Sequence, residues 1–144
     1  MIGAYGQDDK VCAYPAIMAA LDAETPESTI ITVLADKEEI GSDGNTGLNS
    51  SFMNYFIADL AQAEGLQTRH VLSKTKCLSA DVAAAFDPTF ASVYEPTNSC
   101  YINNGVGMSK YTGSRGKSGS SEASAEFVAE IRNIFNKNDV LWQI

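Results

Sequence analysis

The chain has 144 residues, a formal net charge of −8, 44% hydrophobic residues and 9% aromatic residues. That length suits one domain with one sizeable core, and the acidic balance excludes recognition of nucleic acid through a basic surface. No apolar run approaches the ~20 residues of a membrane span, and the first nine residues lack the basic region and apolar core of a signal peptide.

In chain order, Gly3–Gly6 reads as a loop, and Asp8 or Asp9 can cap the helix that follows. Val11, Tyr14, Met18 and Leu21 recur at helical spacing, while Pro15 predicts a late helix start or a kink. Thr25–Ser28 is a turn. Thr29–Ala35 is β-branched and apolar on both parities, the pattern of a strand buried on both faces of a sheet. It leads into Lys37-Glu38-Glu39-Ile40-Gly41-Ser42, and then into a Gly-rich turn from Gly41 to Gly47 that adds Asp43.

Asn49 or Ser50 caps a second helix. Phe52, Phe56 and Leu60 form one row on it, with Met53 and Ile57 adjacent, so it is expected to pack by a broad face. It ends near Gly65. Lys76–Ala80 reads as a short strand leading to Asp81, followed by a loop through Asp87-Pro88. Short strands are expected near Tyr101-Ile102 and from Val106 to Tyr111, then a Gly/Ser/basic loop between Gly113 and Ser121. A third helix starts near Ser121-Glu122 and turns inward Phe127, Ile131, Ile134 and Phe135. Asn136–Asp139 turns it into a terminal strand ending at Ile144. Strands alternating with amphipathic helices indicate an α/β fold with a largely parallel sheet.

Cys12, Cys77 and Cys100 are odd in number and lack metal-binding spacing. They read as reduced thiols, buried as small hydrophobes in a cytoplasmic protein. The apolar run Val140–Ile144 has no polar finish, which suggests a piece of a larger protein.

The acids that can carry chemistry are Asp8, Asp9, Glu38, Glu39 and Asp81, each next to a predicted element end. Taken singly, each reads as a solvated surface group. If the strands are neighbours in one sheet, Asp8, Glu39 and Asp81 converge on one edge, where sheets of this class place their sites. Three carboxylates cannot share a small site without a cation. One divalent metal, or two bridged by a carboxylate, resolves the repulsion, and the other member of the Glu pair is then free to act as a base.

Five motifs in order resemble the aspartyl aminopeptidase and aminopeptidase I family of zinc metallopeptidases, in its bacterial style. They are Gly-Gln-Asp-Asp-Lys-Val-Cys-Ala-Tyr at 6–14, Asp-Lys-Glu-Glu-Ile-Gly-Ser at 36–42 and Gly-Asn-Thr-Gly at 44–47. Leu-Ser-Ala-Asp at 78–81 and Lys-Tyr-Thr-Gly-Ser-Arg-Gly-Lys-Ser-Gly-Ser at 110–120 complete the set. The resemblance implies a three-layer α/β/α zinc-exopeptidase-like domain with a mostly parallel mixed sheet, truncated here to the central part of the catalytic domain. It also implies removal of N-terminal residues, acidic or neutral, from peptide substrates, and a homo-oligomer. Asp8 matches the carboxylate that bridges two Zn²⁺ ions, Glu39 a ligand of one and Asp81 a ligand of the other. Glu38 matches the general base, Asp9 a position outside the ligand set, and Lys110 a basic residue near the substrate.

The resemblance also carries departures. The family's centre uses two histidines as well, and the single histidine here, His70, lies in neither motif; it reads as a surface or packing residue. Three carboxylates alone are a harder set than Zn²⁺ prefers. The family's inserted dimerisation domain and final strand region are absent too. The chain by itself is therefore expected to be catalytically inactive, a self-associating fragment or remnant. Gly113–Ser118 looks like a phosphate loop, but that spacing requires Gly at position 111, which is Tyr. It reads instead as a basic substrate-side or interface loop.

Overall fold

Helix α1 (Gln7–Asp22) follows Gly6, whose φ of 68° is the left-handed geometry that glycine adopts without strain. Its first turn is irregular. Asp8 (φ −88°, ψ 104°) and Asp9 (φ −122°, ψ 34°) are non-helical, and the peptide between them is cis. The kink expected at Pro15 thus falls at the aspartate pair, and neither aspartate caps the helix through its side chain. The computed structural model describes residues 3–114 and 118–144, and the chain divides into two units, Met1–Val82 and Ala83–Ile144.

The first unit also contains α2 (Phe52–Ala63), α3 (Thr68–Leu72) and a single 3-10 turn at Glu38–Ile40. Ser50, one of the two residues expected to cap α2, accepts from the Phe52 amide at 3.4 Å. The helix ends as its glycine predicts. Gly65 adopts φ 68°, its amide donates to the Gln62 carbonyl, and the Leu66 amide reaches back to Ala61 at 2.8 Å. Ile57 and Ala61 are buried, one turn apart on the same face. The expected row of Phe52, Phe56 and Leu60 is not: Phe52 is 70% exposed.

The two strands expected in this unit, at 29–35 and 76–80, join no ladder among the described residues. Leu34 is 56% exposed and Ile30 52%. The reason is physical. A strand buried on both faces is defined by neighbours on each side, and the described residues supply none here.

The second unit carries the sheet structure. β1 (Val106–Gly107) pairs in parallel with β4 (Trp142–Gln143), and β2 (Tyr111–Ser114) pairs antiparallel with β3 (Ser118–Glu122). Tyr101-Ile102 forms no strand, because the Gln143 side chain occupies its backbone. The Tyr101 amide donates to Gln143 Oε1 at 2.8 Å, and Gln143 Nε2 donates to the Tyr101 carbonyl at 2.9 Å. Helix α4 (Ala125–Lys137) starts three residues later than its pattern predicts, since β3 takes Ser118–Glu122. Ser124 caps it, its Oγ accepting from the Phe127 amide at 3.3 Å. Trp142 is held against α4 by Nε1 donating to Asn136 Oδ1 at 2.9 Å and by the Arg132 guanidinium 5.0 Å over its ring. The outcome is an α/β chain with parallel and antiparallel pairing, as expected.

Candidate metal centre

The glutamate pair sits in a turn that is closed across its own base. Lys37 enters it with φ 62° and Gly41 leaves it with φ 94°. The Gly41 amide donates to the Glu38 carbonyl at 2.9 Å, and the Ser42 amide to the Lys37 carbonyl at 2.8 Å. The following loop folds back over this turn. Asn49 donates its backbone amide to the Ser42 carbonyl at 3.1 Å and its Nδ2 to the Gly41 carbonyl at 3.0 Å. Thr46 Oγ1 donates to Asp36 Oδ2 at 2.8 Å.

Gly47, buried, lies so close to this turn that a Cβ there would run into the Ser42 carbonyl. Gly47→Ala is therefore expected to destabilise the loop by about 1–3 kcal/mol, the usual cost of overpacking. Hydrogen exchange at the Gly41 and Ser42 amides checks this: faster exchange confined to the loop is expected, and unchanged protection would disprove the contact.

Asp8, Asp9 and Asp81 come together, each offering one carboxylate oxygen within 4.8 Å of the others. Asp9 Oδ1 is buried and has no hydrogen-bond partner among the described residues. Glu39 belongs to the same electrostatic group. Its carboxyl is held above the usual carboxylate range by the charge of Asp8 first, then by Glu38, burial, Asp81 and a hydrogen bond with Asp8. Without a cation, acids this close share protons; a bound divalent ion reverses that logic. The donors are all oxygens with free acceptor capacity, so these side chains fit a divalent cation, and the orphaned Asp9 oxygen is the acceptor such an ion would satisfy.

The three acids expected to bind metal, Asp8, Glu39 and Asp81, thus feel one another's charge. Asp9, placed outside the ligand set by the resemblance, lies beside Asp8 and Asp81. The local signal for it was its position beside Asp8. Cys12, read from the sequence as a reduced thiol buried as a small hydrophobe, lies beside these acids. Burial pushes its thiol up to about 11, helped by a hydrogen bond and charge from Asp9 and by the charges of Asp81 and Asp8. It is thus a protonated thiol and a poor nucleophile. Because Asp9 has non-helical dihedrals, helical spacing does not reveal the contact between Cys12 and Asp9 in the sequence.

Cys12 and Cys100 are half-buried, but Cys77 is exposed, contrary to expectation. His70 lies exposed on α3, and the described acid cluster includes no imidazole. Lys110 belongs to the second unit. Its Nζ donates to the Tyr111 hydroxyl at 2.8 Å and to Glu122 Oε1 at 3.1 Å, and these two bonds, Tyr111 first, raise its pKa. Arg115–Lys117 of the basic loop lie outside the described residues. No described helix is long and apolar enough to cross a membrane.

Converging carboxylates beside a tied glutamate pair are the makings of a metallohydrolase centre. The sequence profile described as "Aminopeptidase I zinc metalloprotease (M18)" matches residues 1–144. The chain belongs to this M18 aminopeptidase family. It is 46% identical to a "Probable M18 family aminopeptidase 1" of Clostridium acetobutylicum, over 99% of this chain and 32% of that protein. It is 32% identical to an "Aspartyl aminopeptidase" of Caenorhabditis elegans, over 69% of this chain and 23% of that one. Among solved structures, the M18 aminopeptidase of Thermotoga maritima superposes with a TM-score of 0.84 at 42% identity, covering 97% of this chain and 32% of its own. The fold is therefore that of part of an M18 aminopeptidase. The chain spans about a third of the length of the curated relatives it matches.

Proposed function

We propose that the chain supplies the base and the acidic ligands of a dinuclear zinc aminopeptidase that removes N-terminal residues, acidic or neutral, from peptides. The observation that carries this reading is the convergence of Asp8, Asp9 and Asp81 with Glu39 coupled to them, in a chain of this family. Asp8, Glu39 and Asp81 would hold the zinc. Asp9 acts as an anchor behind them or as a further oxygen donor. Zinc, when bound, supplies Lewis-acid polarisation of the scissile carbonyl and a more acidic water.

Glu38 takes a proton from the attacking water and delivers it to the nitrogen of the departing peptide. Carbon–oxygen bond formation and carbon–nitrogen cleavage then leave a free amino acid and a peptide shortened by one residue. Lys110 is assigned to the substrate side. Zn²⁺ prefers a mixed nitrogen/oxygen shell, and the one imidazole here, His70, lies on exposed α3. The chain's own share of the centre is therefore its carboxylate part, and the 144 residues alone are read as inactive. The intact peptidase is read as a cytoplasmic homo-oligomer.

The test is a pair of peptides assayed with the intact peptidase, one with a free N-terminal amine and one acetylated there. Cleavage of the free peptide alone, abolished by a chelator and restored by zinc, is expected. Cleavage of the acetylated peptide, or indifference to chelation, would overturn the proposal.

A further inference from the structure

The tie between Thr46 and Asp36 lies outside the acid cluster, yet it acts on the segment that carries Glu38. Only Lys37 separates Asp36 from Glu38. The other ties described in this loop run from Asn49 to Gly41, Ser42 and Asp43, or close the turn on itself, from the Ile40 and Ser42 amides to the Lys37 carbonyl and from the Gly41 amide to the Glu38 carbonyl. The entry to the turn needs its own restraint. Lys37 is a non-glycine residue at φ 62°, a region that side-chain-bearing residues occupy sparingly and that surrounding bonds must maintain. The Thr46 hydroxyl, donating to the Asp36 carboxylate at 2.8 Å, ties the residue just before Lys37 to the loop seated over the turn. Charge-assisted bonds of this kind are the stronger class.

We infer that Thr46, acting through Asp36, is a positioning residue for Glu38: the bond sets where the base enters its turn and so where its carboxylate meets the water it deprotonates. This rests on the proposed role of Glu38 as base. A reacting group displaced by about 1 Å costs about 100-fold in rate, so a loosened entry should act on kcat. Substrate binding and the oxygen ligands Asp8 and Asp81, which lie on other segments, should be spared; Glu39 shares the turn, so zinc content is read alongside kcat.

The experiment uses the intact peptidase with glutamyl and leucyl 4-nitroanilides, and compares Thr46→Val, which keeps the shape and removes the hydroxyl, with Thr46→Ser, which restores a hydroxyl. Thr46→Val is expected to lower kcat about 10–100-fold, with KM and zinc content within about threefold of the parent. Thr46→Ser is expected to recover most of that loss. Asp36→Ala cuts the same bond from the other side, so the double variant should lose no more than either single one. If Thr46→Val does not fold, Asp36→Ala carries the test by the same criterion. Parental kcat in the tested variant, failure of serine to rescue, multiplicative losses in the double variant, or a parallel fall in zinc content would overturn the inference. Glu38→Gln run alongside separates the two claims. Full activity there removes the base assignment, whereas an inactive Glu38→Gln beside a fully active Thr46→Val removes only the positioning role.

Discussion

Replacing Glu38 with glutamine in the intact peptidase is expected to lower kcat by about 10²–10⁴-fold, the range that general acid–base catalysis supplies, without changing zinc content. Glutamine keeps the size of the side chain and its hydrogen-bonding oxygen but cannot accept the proton of the water. The two adjacent glutamates are distinguished by their surroundings. Glu39 is coupled first to Asp8, the centre of the proposed metal set, and its carboxyl is raised by that contact. A side chain so engaged is suited to ligation, which leaves Glu38 for proton transfer. Both glutamates lie in one short turn, so a change in fold would affect them together. A selective loss of kcat with metal retained is the signature of a base. Glu38→Gln with parental kcat would contradict the assignment.

Asp81→Asn is expected to produce the opposite pattern, loss of zinc together with activity. Asn offers a neutral oxygen in place of a charged one. Partners that merely orient a ligand cost about 10–100-fold in metal affinity when removed, so loss of a direct ligand should weaken binding by more than about 100-fold. Asp81 contributes an oxygen to the described cluster, and its Oδ1 also accepts from the Val82 amide at 2.7 Å, a bond that orients the carboxylate. An amide in that position can keep this bond by presenting its oxygen, so the backbone is expected to stay as it is. Isothermal titration of the chelated peptidase with zinc reads the difference. Affinity unchanged from the parent would remove Asp81 from the ligand set.

Much of this was legible because local chemistry determines it. Gly65 ended α2 where a left-handed residue is needed, and the run from Ala125 to Lys137 formed α4 on its apolar spacing. The family motifs singled out Asp8, Glu39 and Asp81; Asp8 and Asp81 lie together with Asp9, and Glu39 feels the charges of Asp8 and Asp81, while their role as ligands is a proposal. What failed depended on partners distant in sequence. The apolar run at 29–35 carries strand composition, but composition reports a preferred environment and not a neighbour to pair with, and the strand expected at 76–80 likewise joins no ladder among the described residues. Residues such as Leu34 stand exposed accordingly. Gln143 shows the converse. A single side chain took over the backbone of Tyr101, a substitution of amide for strand that no periodicity could reveal. How close Asp9 comes to Asp8 and Asp81 depends on non-helical dihedrals within α1, which side-chain patterns do not encode.

The ties over the glutamate turn fix its length as well as its shape. Surface loops ordinarily absorb insertions and deletions with little consequence. Here Asp36 must find Thr46, Gly41 must find Asn49, and Gly47 must arrive flat against Ser42. One residue more or fewer between 42 and 46 would shift the clasp, the seat and the second tie at once. The segment from 36 to 49 is thus a cassette of fixed count, closer in its tolerance to a strand register than to a loop.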